Sequence, residues 1–186
     1  VLVTDGGKNT YPMDMEDEAG YFAVLISGKK IPDYSFRVTY EDGATEERKD
    51  PYAFAPQITE KEAKKFNAGI CYDIYKKLGA HPMTIDGTKG VYFAVWAPNA
   101  KEVYVIGSFN GWNETSHPMQ RQEPLGIYVL FIPEVGVGES YKYLIVTPDG
   151  RKLYKADPFG NHAEYRPGTA SRIADISKIK WSDKTW

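Results

Sequence analysis

YSFRVTYEDGATEERKDPY at 34–52 and YKYLIVTPDGRKLYKADPF at 141–159 are two copies of one pattern, alignable without a gap. In the first, Tyr34, Phe36 and Val38 lead to Asp42-Gly43 and then to Asp50-Pro51-Tyr52. In the second, Tyr141, Tyr143 and Ile145 lead to Asp149-Gly150 and then to Asp157-Pro158-Phe159. Identical spacing over three separate elements marks a duplicated β-unit. Asp-Gly suits the left-handed backbone of a type I′ turn, so each copy predicts a hairpin. The likeness reaches upstream with small gaps. Val1-Leu2-Val3 answers Val103-Tyr104-Val105, Pro12-Met13 answers Pro118-Met119, and Gly20-Tyr21 answers Gly126-Ile127. The first copy has no counterpart of the strand predicted over 91–97. Its module is therefore expected to lack its N-terminal strand, and the chain to begin inside a domain.

Val91-Tyr92-Phe93-Ala94-Val95-Trp96 is rich in β-branched and aromatic residues and stops at Pro98-Asn99, which predicts a strand. Strands over 103–106, 127–132 and 141–146 follow, divided by Asn110-Gly111, Pro133 and the glycines Gly136 and Gly138. Short strands at this spacing predict an all-β fold, two tandem immunoglobulin-like (early-set) β-sandwiches. Alternation points Tyr34, Phe36 and Val38 inward, with Tyr141, Tyr143 and Ile145 in the second copy, and turns Lys142, Leu144 and Val146 out. An outward face carrying Leu144 and Val146 is expected to be covered by another domain or used for binding. Trp96 falls opposite Phe93 and Val95 unless a bulge near Pro98 turns it in. A core role is expected, with truncation to Ala costing roughly 3–5 kcal/mol.

Between the copies, Thr59 and Glu62 spell a capping box. The helix they open is expected to stop at Gly69, and a second short turn around 72–77 to end at Leu78-Gly79. Ile70, Tyr72, Ile74 and Tyr75 are too apolar for a free linker. A packed connector holding the two sandwiches in a fixed orientation is expected. The resulting division is a truncated sandwich at 1–57, a helical connector at 58–79, a complete sandwich at 80–177 and the start of a linker at 178–186.

Bulk properties exclude several partners. The net charge of −2 offers nothing to nucleic acid or to an anionic membrane. Of the 14% aromatic residues most are Tyr, whose polar tip suits a core edge or a binding face. The single cysteine, Cys71, has no disulfide partner and no companion for a metal site; it reads as a buried or half-buried thiol. No apolar run approaches the length of a bilayer span.

Catalytic constellations are hard to find. His81, His117 and His162 sit beside turns with no ligand-like spacing. No nucleophile elbow, phosphate-cradling glycine loop or zinc-protease motif occurs, and no cofactor is expected. The acidic stretch 14–18 lacks the ligand order of a calcium loop. Asp50 and Asp157 precede proline and read as turn initiators rather than as an acid and a base. Asn113-Glu114-Thr115 spells a glycosylation sequon, meaningful only in a secreted protein. The stretch with functional content is Gly107-Ser108-Phe109-Asn110-Gly111-Trp112. A strand ends, Asn-Gly turns the backbone, and an indole follows. Exposed, Trp112 offers a flat apolar face to the C–H face of a glucose ring, with Lys142 able to donate to its hydroxyls. Alternatively, Trp112 folds back onto its sandwich.

At these residues the chain resembles a known family. Leu78-Gly79-Ala80-His81, Phe93-Ala94-Val95-Trp96-Ala97-Pro98-Asn99-Ala100, Gly107 through Trp112, His117-Pro118-Met119 and Tyr141-Lys142-Tyr143 resemble the N-terminal region of bacterial glycogen branching enzymes. So do Ala156-Asp157-Pro158 and Arg166-Pro167-Gly168-Thr169-Ala170-Ser171. The resemblance implies a family-48 carbohydrate-binding module preceded by a degenerate module of the same kind. It also implies a cytoplasmic parent enzyme of glycogen biosynthesis, whose (β/α)₈ barrel of glycoside hydrolase family 13 follows the stretch resembling Trp181–Trp186. In that family the reacting carboxylates lie on the barrel, so this chain is expected not to catalyse. The partners implied are α-glucan, bound weakly, and the chain's own barrel. By resemblance to glycogen-binding relatives, Trp112 matches their stacking Trp, Lys142 the Lys of their Tyr-Lys-Phe motif, and Thr169 the Thr of a ligand loop. Asn110 lies in the shared turn, and Lys152 falls where those relatives carry a second stacking Trp. Its loss predicts a dissociation constant between roughly 10 μM and above 1 mM. The first copy has no aromatic residue from Thr4 to Thr10, and Ser35 stands in the place of Lys142. A purely structural module, the matching module of a debranching enzyme or trehalose-releasing hydrolase, and a glycogen-sensing subunit remain as alternatives.

Overall fold

The computed structural model describes residues 2–5, 9–18, 20–28, 33–180 and 182. Val1, at the head of the repeat, and all of 181–186 except Ser182 lie outside the described residues. The chain divides into two units, Val1–Ala53 and Phe54–Trp186.

The first unit is built from β1 (Leu2–Asp5), β2 (Asn9–Pro12), β3 (Asp14–Met15), β4 (Phe22–Ala23), β5 (Tyr34–Thr39) and β6 (Thr45–Lys49). One antiparallel sheet runs in the order β2-β1-β5-β6, and β3 pairs with β4 separately. Asp42-Gly43 makes the β5–β6 turn, with Gly43 at φ +84° and the Asp42 carboxylate accepting from Ala44 N at 2.9 Å. The faces are less sharply sorted than alternation predicts: Tyr34, Phe36 and Val38 are half-buried, and so are Ser35 and Arg37 between them. A short 3₁₀ turn, Pro51–Ala53, ends the unit.

The second unit opens with α1 (Glu60–Asn67) and continues through β7 (Gly79–Ile85), β8 (Thr88–Trp96), β9 (Glu102–Gly107), β10 (Gln120–Gln122), β11 (Ile127–Pro133), β12 (Ser140–Val146), β13 (Lys152–Lys155), β14 (His162–Ala163) and β15 (Ser171–Arg172). One antiparallel sheet has the order β10-β11-β8-β7; the other has β13-β12-β15-β14, with β9 also paired to β12. Between them lies a core of Phe93, Val95 and Leu130 against Val103, Val105, Tyr141 and Tyr143. This is an immunoglobulin-like sandwich. β8 and β11 are apolar on both faces because both are covered. Their outer face, with Tyr92, Ala94 and Phe131, packs under Phe54, Ile58, Ala63, Phe66 and Leu78. These come from α1 and the segments around it. Thr59 and Glu62 form the capping box, Thr59 N donating to Glu62 Oε2 at 2.8 Å and Glu62 N to Thr59 Oγ1 at 3.3 Å. Gly69, at φ +71°, follows the helix.

Three expectations are corrected. Trp96 is not in the core: it is 53% exposed and meets only the edge of the Phe66 ring among aromatic contacts, 5.8 Å between centroids. Strict alternation holds to the end of β8, so Trp96 shares the outer face of Tyr92 and Ala94. β7 is a strand where none was expected just before 91, and Pro82 is tolerated in it since β7 is an edge strand. Its partner turn is a third Asp-Gly pair, Asp86-Gly87, with φ of 48° and 76°. Lastly, Leu144 is not a bare outward residue. It is 1% exposed, lying in register between Tyr104 of β9 and Tyr154 of β13.

The repeat extends to side-chain chemistry. Tyr34 Oη donates to Asp50 Oδ2 at 2.5 Å, and Tyr141 Oη to Asp157 Oδ2 at 2.7 Å. Asp50 Oδ1 accepts from Tyr52 N at 2.7 Å, and Asp157 Oδ1 from Phe159 N at 2.8 Å. Each aspartate closes a turn and anchors a tyrosine from the first strand of its hairpin.

Candidate functional site

β9 ends at Gly107, whose place is dictated by space: a Cβ there would lie 2.4 Å from Ser140 O. A 3₁₀ turn over Ser108–Asn110 follows. Asn110 fastens it, its Oδ1 accepting from Gly107 N at 2.9 Å and its Nδ2 donating to Val105 O at 3.1 Å. Gly111 and Trp112 then take left-handed backbone, φ 59° and 60°, and Trp112 N donates to Gly107 O at 2.8 Å. For tryptophan this conformation is unfavourable, and the turn's hydrogen bonds hold it there. The indole is left 40% exposed.

Trp112 forms one wall of a groove of about 480 Å³, within the range of ligand clefts. Lys142 projects into it from β12, and Ile106 lines it from the end of β9. The loop after β14 supplies Glu164 and Pro167 through Ala170, and Glu114 and Tyr154 complete the lining. Lys142 Nζ donates to Thr169 Oγ1 at 2.7 Å. Glu164 ties the loop down, Oε1 accepting from Ser140 Oγ at 2.8 Å and Oε2 from Ala170 N at 3.0 Å. Those bonds, the Ser140 hydroxyl foremost, hold its carboxyl below the usual glutamate range, with the Lys142 charge adding to them.

Glu114 is the second carboxylate of the groove. The Asn113 carboxamide accepts from Thr115 N at 2.8 Å and Ser116 N at 3.0 Å, forming the turn that presents it. Lys152 Nζ donates to Glu114 Oε2 at 2.6 Å and Tyr154 Oη to Oε1 at 2.5 Å. Lys152, before Tyr154, is the main reason the Glu114 carboxyl is lowered, and the bond to Glu114 is the main reason the Tyr154 phenol is raised.

Of the residues singled out from sequence, Trp112, Lys142 and Thr169 share this groove. Asn110 and Lys152 support its walls without lining it. Glu114, Tyr154 and Glu164 were missed. Tyr154 was within reach of alternation, being two residues beyond Lys152 on the same strand face. Glu114 and Glu164 carry no local signal, since each acquires its role from a partner distant in sequence. Among the described residues no group of three or more metal-ligating side chains occurs. No helix among them is long and apolar enough to cross a membrane.

Comparison with known proteins gives two matches in series. Residues 1–52 match the model of the N-terminal domain of the α-1,4-glucan branching enzyme GlgB, and residues 77–160 that of carbohydrate-binding module 48 (isoamylase N-terminal domain). The 1,4-α-glucan branching enzyme GlgB of Butyrivibrio fibrisolvens is 57% identical over 129 residues, 69% of this chain and 20% of that one. That of Thermosynechococcus vestitus is 43% identical over 180 residues, 96% and 23% of the two chains. That of Paramagnetospirillum magneticum is 42% identical over 187 residues, 100% and 25%. The chain thus spans a fifth to a quarter of the length of these curated relatives. Among solved structures, a Klebsiella pneumoniae pullulanase complexed with maltotriose matches 53% of this chain and 9% of its own, at 25% identity and a TM-score of 0.43. Matched in order by both family models and by branching enzymes at 42–57% identity, the chain belongs to the N-terminal region of the glycogen branching enzyme family.

Proposed function

We propose that this chain is the non-catalytic N-terminal part of a cytoplasmic 1,4-α-glucan branching enzyme, and that the groove of its second sandwich binds α-glucan weakly. The intact enzyme cuts α-1,4 links and re-forms them as α-1,6 branches on a barrel outside this chain. In this reading 1–57 and 80–177 are the two modules, 58–79 is their connector, and both position the barrel. The observation that carries the reading is the half-exposed Trp112 ring beside an ammonium and two carboxylates in one groove. A glucan offers an apolar C–H face to the ring and hydroxyls that both donate and accept to the charges.

Titration calorimetry with maltoheptaose tests it. Wild-type chain is expected to bind with a dissociation constant between roughly 10 μM and 1 mM, and Trp112→Ala to lose at least tenfold. Equal binding by both proteins, or none by either, sinks the sugar-binding half. That outcome would leave the structural reading, which draws support from Lys142 and Lys152 already having partners, Thr169 and Glu114, within the module.

A further inference from the structure

The resemblance assigns the groove one ring, Trp112, and a lysine where related modules carry a second. The structure holds another ring in the same groove. We propose that Tyr154 is the second glucan-stacking ring and that Glu114 is the residue that positions it. The proposal rests on the α-glucan reading above.

Tyr154 and Trp112 both line the cleft, and both rings are part-exposed, at 48% and 40%. An exposed tyrosine ordinarily samples several rotamers, and fixing it on binding costs free energy. Here the hydroxyl is tethered to Glu114 Oε1 at 2.5 Å, so much of that ordering precedes the ligand. Lys152 occupies the other carboxylate oxygen. Its charge balances that of Glu114, so the tether sets no unbalanced anion against a neutral polysaccharide. On the neighbouring strand, Tyr154 stands directly across from the buried Leu144, an apolar cross-strand neighbour.

The repeat supplies an internal control. In the gapless alignment of 34–52 with 141–159, Leu144 and Tyr154 fall on Arg37 and Glu47. Arg37 and Glu47 are likewise directly opposed in their hairpin, but they form an ion pair at 2.7 Å. The hairpin geometry is common to both copies. Only in the copy that also carries Trp112 and Lys142 does an aromatic residue opposite a leucine replace the ion pair. A hairpin serving only as scaffold has no need of that exchange.

The experiment titrates maltoheptaose into the whole chain and into Trp112→Ala, Tyr154→Ala, Tyr154→Phe and Glu114→Gln, with unfolding midpoints recorded for each. Tyr154→Ala is expected to weaken binding about tenfold. Tyr154→Phe, keeping the ring but losing the tether, is expected to lose two- to fourfold. Wild-type affinity is expected to fall as pH drops below the ordinary glutamate range, where Glu114 is protonated, its carboxyl being lowered. With Glu114→Gln, which keeps an acceptor for the phenol, that acid dependence should shrink to the part set by Glu164, the groove's other lowered carboxyl. If Trp112→Ala loses binding while Tyr154→Ala and Tyr154→Phe bind as wild type does, the second ring is refuted and the glucan reading survives. An acid dependence unchanged in Glu114→Gln refutes the positioning role. No heat from the wild-type chain overturns the glucan reading and this proposal together.

Discussion

The hairpins at 34–52 and 141–159 share register, Asp-Gly turn and tyrosine–aspartate anchor, yet differ in everything those features support. In the first, Asp50 receives one phenol, from the half-buried Tyr34. Phe36 stands at the next inward place, where it has no hydroxyl to give. In the second, Asp157 is buried and receives two, from Tyr141 and from Tyr143 at 3.0 Å. Its backbone N also donates to Ser171 Oγ at 2.9 Å. Burial pushes the Asp157 carboxyl up despite those bonds. The comparison teaches that the anchor is the part of the hairpin the fold needs. The outer face is free to change, from an ion pair in one copy to a ring and an ammonium in the other.

The largest expected difference between the copies is in stability. Asp157→Ala leaves two buried phenols without their acceptor, which should cost roughly 3–5 kcal/mol. Asp50→Ala breaks one part-buried bond and should cost about 1 kcal/mol. Urea unfolding of the whole chain, followed for each unit, measures both. Equal losses would mean that depth of burial does not distinguish the anchors.

Alkaline pH sharpens the same contrast. The phenol of Tyr34 is pushed up from 10.0 to about 12, by burial first and then by its bond to Asp50. Those of Tyr141 and Tyr143 are raised further, with burial again foremost and the Asp157 charge next. A raised folded-state value means stability that is complete below the unfolded tyrosine range and lost as pH rises past it. Each such group adds a slope of about 1.4 kcal/mol per pH unit while it is protonated only in the folded state. The second unit should therefore lose stability more steeply above about pH 10, and Tyr143→Phe should make its slope shallower by one group. Unfolding midpoints at successive pH values check this, and a slope unchanged by Tyr143→Phe would contradict it.

What could be read beforehand was what local pattern determines. The Asp-Gly turns, the inward tyrosines and the capping box at Thr59 each declare themselves within a few residues. Trp96 was misread because tryptophan at the end of an apolar strand suggests core. Its neighbour Phe66 comes from a helix about thirty residues earlier, which alternation alone does not reveal. β7 was not among the strands read, and its Pro82 is compatible with a strand only at a sheet edge, which is a property of topology. At the groove, Trp112 and Lys142 were read from the turn and the strand pattern, and Thr169 through resemblance. Tyr154 was passed over because its ring acquires a role only through Glu114, 40 positions away.

The smallest expected effect bears on why the outer faces diverged. Arg37 and Glu47 are exposed, with 42% and 61% of their side chains accessible. An ion pair of this kind gains little, because water screens it and two long side chains must be held together. Glu47→Ala should therefore change the stability of the first unit by less than about 0.5 kcal/mol. The counterpart Tyr154→Ala uncovers Leu144, which is buried in the intact hairpin. Exposing apolar area costs about 25 cal/mol per Å², so its cost should exceed that of Glu47→Ala whether or not sugar is present. Denaturant titrations of the two variants compare them directly. A loss at Glu47 as large as that at Tyr154 would mean that the ion pair was structural in its own right. The change of face would then be a trade of one support for another, and the ring at 154 would no longer point to a ligand.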